Sequence, residues 1–182
     1  RAKRSVNREV LLRAPQSPCY VELAIHFALG GHTVTTGKSS RIREVNPREA
    51  WDILCTQKGA RLIDVRTAAE WGYVGIPDLS AIGQTLLRVE WACFPDMSFN
   101  PRFVEAVDDA LEGASSGPLL FICRSGARSL RAAQAVAEAR RARSLPAECF
   151  NVAEGFEGEL NADRHRGLLS GWKARGLAWR QS

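Results

Sequence analysis

The apolar positions of the chain fall into short solid runs separated by longer amphipathic stretches. The solid runs are ARLIDV (60–65), GPLLFIC (117–123) and ECFNV (148–152). Runs this short, bounded by glycine, proline or charge, predict buried strands. TLLRVEWACF (85–94) predicts a further strand, with some polar alternation. Between these runs the apolar period lengthens. NPREAWDILCTQKG places Asn46 as N-cap, Pro47 at the first helical position and Glu49 three residues in, the parts of a capping box. Trp51, Leu54 and Cys55 then share a face, and Gly59 offers a left-handed stop. TAAEW, from Thr67, continues as a helical turn. Asn100-Pro101 predicts a second capped helix, carrying Phe103, Val104, Val107 and Leu111 at helical spacing and ending at Gly113. SLRAAQAVAEARRAR (129–143) is built of strong helix formers. Strands alternating with helices predict a small α/β fold, a mostly parallel sheet with helices on both faces.

Residues 1–45 stand apart as an N-terminal extension. They are basic and broken by Pro15, Pro18 and Gly30-Gly31, with a short helix expected near 20–29 and a short strand at 32–36. Residues 46–182 form the expected catalytic domain. No apolar run reaches the length of a membrane span, and the basic start is not followed by the apolar segment of a secretory signal.

The formal net charge of +5 admits an anionic substrate. The basic residues are scattered, which gives nucleic-acid binding little support. The five cysteines are widely and irregularly spaced, without a CxxC pair or zinc-like cluster. That argues against a disulfide framework and a metal site, and favours a reducing, cytoplasmic setting.

The chemistry concentrates in LLFICRSGARS (119–129). Cys123 falls where a strand gives way to a helix, the edge of an α/β sheet at which ligands bind. Backbone N–H groups of such a turn and of the first helical residues hold anions and stabilise a thiolate. Arg124 and Arg128 add positive charge. Gly126 allows a turn a side chain would forbid, and Ala127 continues the loop. Ser125 and Ser129 supply hydroxyls, and Ser129 is a candidate helix cap. The plainer alternative is that Cys123 is a small core residue ending a strand.

CRSGARS resembles the active-site loop of rhodanese-like sulfurtransferases. RLIDVRTAAEWGYVGIPDLSA is similar to that family's Asp-Val-Arg segment with its Glu-Trp and Gly-Ile-Pro turn, and NVAEGFEGELNADRHRG with GWKARGLAW resembles its C-terminal part. The resemblance covers residues 46–182 and implies a cofactor-independent sulfur carrier. Cys123 would take the outer sulfur of thiosulfate, or of a persulfide donor, as a persulfide. It would then pass that sulfur to cyanide, a small thiol or a protein acceptor. Arg128 matches the arginine that closes the family's loop, and residues 124–129 would form the anion cradle. Asp64, Arg66 and Glu70 match the supporting residues near the site. Phe156 is expected in the core or over the pocket. One departure is Val74-Gly75-Ile76-Pro77, where the family often has histidine before the isoleucine.

Two alternatives accompany this reading. A cysteine-based phosphatase or arsenate reductase would use the same thiol and arginine. Those loops usually place five residues between the two, however, and here there are four, residues 124–127. Asp96 is the conceivable general acid. The other alternative is a persulfide-carrier or regulatory module serving one protein partner.

Overall fold

In the computed structural model, residues 42–111, 117–146 and 148–181 are described. The expectations for 20–29, for 32–36 and for a helix end at Gly113 lie outside them. The central sheet has five parallel strands in the order β1-β8-β7-β2-β4. These are β1 (Arg43–Val45), β2 (Arg61–Asp64), β4 (Leu87–Arg88), β7 (Leu119–Ile122) and β8 (Cys149–Val152). Residues 43–45, assigned by sequence to the extension, are therefore an edge strand of this sheet, in register with 150–152.

Successive side chains of the inner strands alternate between two helical layers. Ile63, Leu119 and Phe121 pack with Phe103 and Val107 of α3 (Phe103–Ala110) and with Ala132, Ala133 and Val136 of α4 (Ala127–Ala142). Leu62, Leu120, Ile122 and Phe150 face the other way. They meet Ala50 and Leu54 of α1 (Pro47–Thr56) and Trp172 of α5 (Gly171–Ala174). The fold is thus the expected α/β sandwich with helices on both faces. β7, buried along its whole length, is the middle strand.

The capping box of α1 is present. Asn46 Oδ1 accepts from the Arg48 and Glu49 N–H groups, and Glu49 returns a carboxylate to the Asn46 N–H at 2.8 Å. A second box starts α2 (Ala68–Val74), from Thr67 and Glu70.

Several local expectations are corrected. The strand foreseen at 85–94 is two short pieces. β4 pairs with β2. The chain then bends, and β5 (Ala92–Cys93) folds back on β6 (Ser98–Phe99) as a hairpin. Trp91 anchors the bend, its ring edge-on to Phe99 and Phe103. The helix foreseen from Asn100-Pro101 begins only at Phe103. The Asn100 side chain is occupied elsewhere, donating to the Glu90 carbonyl and accepting from the Arg102 N–H. Cys55 lies one position around α1 from buried Leu54 and is exposed, not core. Cys93 is buried and disulfide-bonded, which departs from the expectation of reduced cysteines. Among the described residues no helix is long and apolar enough to cross a membrane.

Candidate active site

Asp64 at the end of β2 lies opposite Ile122 at the end of β7, and the Val65 N–H continues the pairing to the Ile122 carbonyl at 2.9 Å. The two strands thus deliver their following segments side by side. One carries Thr67 and Glu70 into α2; the other carries Cys123 into the turn before α4. Cys123, Arg124, Ser125, Ala127, Arg128 and Glu70 line one cleft of about 620 Å³.

The loop from Cys123 to Gly126 is held from below by backbone bonds. Phe156 N–H donates to the Cys123 carbonyl at 2.7 Å, and the N–H groups of Glu157 and Gly158 donate to the Arg124 carbonyl at 3.0 and 3.1 Å. Two glycines make this approach possible. A Cβ on Gly126, whose φ is +97°, would meet the Ala153 carbonyl oxygen at 1.9 Å. One on Gly155 would meet the Arg124 and Ser125 backbone at 2.5 Å. With those carbonyls engaged, the Gly126 N–H donates to Cys123 Sγ at 3.1 Å. Gly126 is also the N-cap of α4. The sulfur therefore stands at the amino end of a 16-residue helix, where backbone dipoles favour negative charge.

Ser129 does not cap α4, as the sequence had offered. The helix starts two residues before it, and its hydroxyl lies inside the first turn, 2.7 Å from Asn151 Oδ1, 3.0 Å from the Gly126 carbonyl and 3.3 Å from Sγ. A hydroxyl has one hydrogen to give, so these three acceptors compete for it. Asn151 is oriented by its other end, where Nδ2 donates to Glu44 at 3.3 Å.

The two arginines differ. Arg128 is tied to Glu70 through two bonds of 2.7 and 2.6 Å, both side chains mostly covered. Burial alone would push the Glu70 carboxyl up. Hydrogen bonds from Arg128 and from the Thr67 N–H, with the arginine's charge, outweigh that and hold it at about 2. Burial likewise opposes the charge of Arg128, and Glu70 more than restores it, so the guanidinium is held above its ordinary value. Arg124 is exposed, and among the described residues its side chain has no partner.

No family model matches the chain. A Rickettsia rickettsii protein described as an uncharacterized RP600 homolog is 32% identical over 138 residues, 76% of this chain and 97% of its own. RP600 of Rickettsia prowazekii is 30% identical over the same length. The chain belongs to the RP600 family. The crystal structure of Rv0390 from M. tuberculosis is 40% identical with a TM-score of 0.67, over 79% of this chain and all of that one. A rhodanese-like domain protein from Staphylococcus aureus matches at 16% identity and a TM-score of 0.43, over 78% of this chain and 99% of that one.

Two of the singled-out residues lie outside the cleft of this RP600-family chain. Asp64 and Arg66 are fully buried beneath it, joined by Arg66 Nε and Nη2 to the carboxylate, with Nη2 2.5 Å from Oδ2. Arg66 also donates to the Gly75 carbonyl at 2.8 Å and stacks on Phe156, 4.1 Å from its ring centroid. The pair locks the end of β2 to the Val74–Pro77 turn, where the histidine of the resemblance is missing. That turn is further closed by β3 (Ile76–Pro77) pairing with β9 (Trp179–Arg180) and by Lys173 Nζ donating to the Val74 carbonyl. Phe156 is fully buried and packs in the core. Asp96 is not among the lining residues; its carboxylate accepts from the Ser98 N–H.

Sequence reasoning missed Asn151 and the outer cleft. Asn151 sits in a strand with apolar neighbours, where its one sign was being the lone amide of that run. The outer wall comes from Tyr73 and Val74 on α2 and from Phe94 and Met97 on the hairpin. Four exposed-looking residues from two distant segments give no shared pattern in sequence. Among the described residues no group of three or more His, Cys, Asp or Glu could hold a metal.

Proposed function

We propose that this chain is a sulfurtransferase that carries a sulfane sulfur on Cys123, from thiosulfate or another persulfide donor to a thiophilic acceptor. One observation carries the reading: Cys123 lines the cleft, its Sγ accepts the Gly126 N–H at 3.1 Å at the start of α4, and Arg124 follows it in the same lining. Donors aimed at a sulfur, away from bulk water, stabilise it as an anion and do the same for the persulfide that follows.

The thiolate attacks the outer sulfur of thiosulfate. The sulfur–sulfur bond of the donor breaks, and sulfite leaves with the electron pair. The enzyme holds Cys–S–S⁻. A nucleophile such as cyanide, a small thiol or a protein thiol then takes the terminal sulfur, and the Cys123 thiolate returns. No proton transfer is needed in either step when cyanide accepts, and no metal or cofactor takes part. A tight loop with four residues before Arg128 leaves room above a single sulfur atom. Among the described residues Glu70 is the one carboxyl lining the cleft, and Arg128 holds it ionised, so it is not an acid that would protonate a phosphate ester's leaving group.

The test is direct. Incubation with thiosulfate should add one sulfur atom to the intact mass, and cyanide should remove it as thiocyanate. The Cys123→Ser variant should do neither while keeping the wild-type circular dichroism. If thiosulfate fails but a cysteine-persulfide donor loads Cys123, the protein is the carrier form of the same chemistry. Absence of any sulfur adduct, with release of phosphate from an aryl phosphate, overturns the proposal in favour of a phosphatase.

A further inference from the structure

The cleft has two features that inorganic thiosulfate does not use. The first is its charge. Among the described residues three ionic side chains line it: Arg124, Arg128 and Glu70. The last two neutralise each other through their paired hydrogen bonds. Among the described lining residues Arg124 alone remains to meet a ligand's charge. A dianion entering this space meets little net positive charge beyond the loop's backbone dipoles, whereas a monoanion is matched by Arg124 alone.

The second feature is the outer wall. Tyr73, Val74, Phe94 and Met97 face the cleft from two sides, and Tyr73 and Phe94 keep 85% and 66% of their surface exposed. The cleft's volume is in the range that holds a small organic molecule, well above what a five-atom anion fills. Large apolar side chains left open around a reactive sulfur have a physical use when the ligand brings apolar surface of its own.

We infer that the cleft selects an organic sulfane donor, one with a single negative charge and an apolar substituent, over inorganic thiosulfate. The inference rests on the sulfur-transfer reading. The chemical class is an organic thiosulfonate or an organic persulfide, which share a terminal sulfur next to one leaving group. With a thiosulfonate, Cys–S⁻ and R–SO₂–S⁻ give Cys–S–S⁻ and R–SO₂⁻. The donor's sulfur–sulfur bond breaks, and the sulfinate leaves with its electron pair. With a persulfide anion, Cys–S⁻ and R–S–S⁻ give Cys–S–S⁻ and R–S⁻, the thiolate leaving with the electron pair of the donor's sulfur–sulfur bond. The substituent lies along Tyr73, Val74, Phe94 and Met97, with the negative group toward Arg124.

The test compares kcat/KM for four donors with cyanide as acceptor: thiosulfate, methanethiosulfonate, toluenethiosulfonate and benzyl persulfide. Methanethiosulfonate against thiosulfate reads the charge preference. Toluenethiosulfonate against methanethiosulfonate reads the apolar wall, and burial of a ring of that size corresponds to about tenfold or more. Toluenethiosulfonate against benzyl persulfide distinguishes the two sources. In Met97→Asp and Phe94→Ser the toluene-to-methane ratio should fall toward one. In Glu70→Gln, which leaves Arg128 uncompensated, the thiosulfate-to-methanethiosulfonate ratio should rise. Both are ratios within one variant, so general damage to the loop cancels. If thiosulfate equals or exceeds the organic donors while still loading Cys123, the inference fails and the sulfur-transfer reading stands. If no donor adds sulfur to Cys123, the reading itself fails.

Discussion

Glu70 and Arg128 stand 58 residues apart and form a two-pronged ion pair in the lining of the cleft. The parallel pairing of β2 and β7 brings them together, since each follows the carboxyl end of one of these neighbouring strands. The pair fixes one arginine of the loop in place and removes its charge from the ligand, so the two arginines of the sequence motif do different things.

This pair gives the protein an acid-sensitive element. Glu70 in the folded chain is held at about 2, against an ordinary 4.5. A carboxyl depressed on folding contributes fully above the unfolded value, and the contribution is lost as pH falls through the folded one. The wild type should therefore exceed Glu70→Gln in urea midpoint at about pH 6, with the gap narrowing from about pH 4.5 and closing near pH 2. A gap that stays constant across this range would mean that the pair contributes nothing through its charge.

Ser129 has one hydrogen, and Asn151 Oδ1 at 2.7 Å is a better acceptor for it than Sγ at 3.3 Å. Removing that competitor in Asn151→Ala leaves the hydroxyl shared between the Gly126 carbonyl at 3.0 Å and the sulfur, and so raises its donation to the sulfur. Alkylation of Cys123 by iodoacetamide at neutral pH should then quicken by roughly three- to tenfold, the worth of one hydrogen bond. The same change made in a Ser129→Ala background should have no such effect. Equal effects in both backgrounds would show that Asn151 does not act through Ser129.

Gly126 and Gly83 both have positive φ, but only Gly126 is hemmed in. Gly83→Ala should cost about 1 kcal/mol, the backbone penalty alone. Gly126→Ala must also displace the Ala153 backbone, so it should cost at least about 2 kcal/mol in urea unfolding and abolish sulfur loading. Similar losses for the two variants would mean that the 123–126 loop is not seated against residue 153.

The remaining free thiols separate by surroundings. Burial, partly offset by Arg140 and Arg141, pushes the Cys149 thiol up to about 12, while Cys55 is exposed. In the native protein at mild alkaline pH, Cys55 should be alkylated and Cys149 spared, with Cys149 reacting only after unfolding in denaturant. Peptide mass mapping reads both. Prompt labelling of Cys149 in the folded state would contradict its place in the sheet.

Much of the architecture is legible in the sequence because its elements obey local rules. The Asn46–Glu49 capping box, the apolar run before Cys123 and the alanine-rich stretch after it all appear as read. Where the local rule competes with a tertiary demand, the reading slips. Asn100 looks like a helix cap but serves the Glu90 carbonyl, and the run at 85–94 bends because Trp91 is wedged between two phenylalanines. Cys123 and its loop form a contiguous signal, which is why they are visible. Asn151 reaches Ser129, and Tyr73, Phe94 and Met97 reach the cleft, only through folding, and no spacing announces them.

The N–H groups of Phe156, Glu157 and Gly158 secure the carbonyls of Cys123 and Arg124. This bond pattern has a consequence for biosynthesis. When Cys123 is added to the growing chain, the segment that shapes its loop has not yet been translated. The thiol therefore passes through a period as an ordinary, unshaped cysteine. It acquires its anion-holding surroundings only when β8 and the turn after it join the nascent sheet, so the reactive centre is finished late, after most of the scaffold around it.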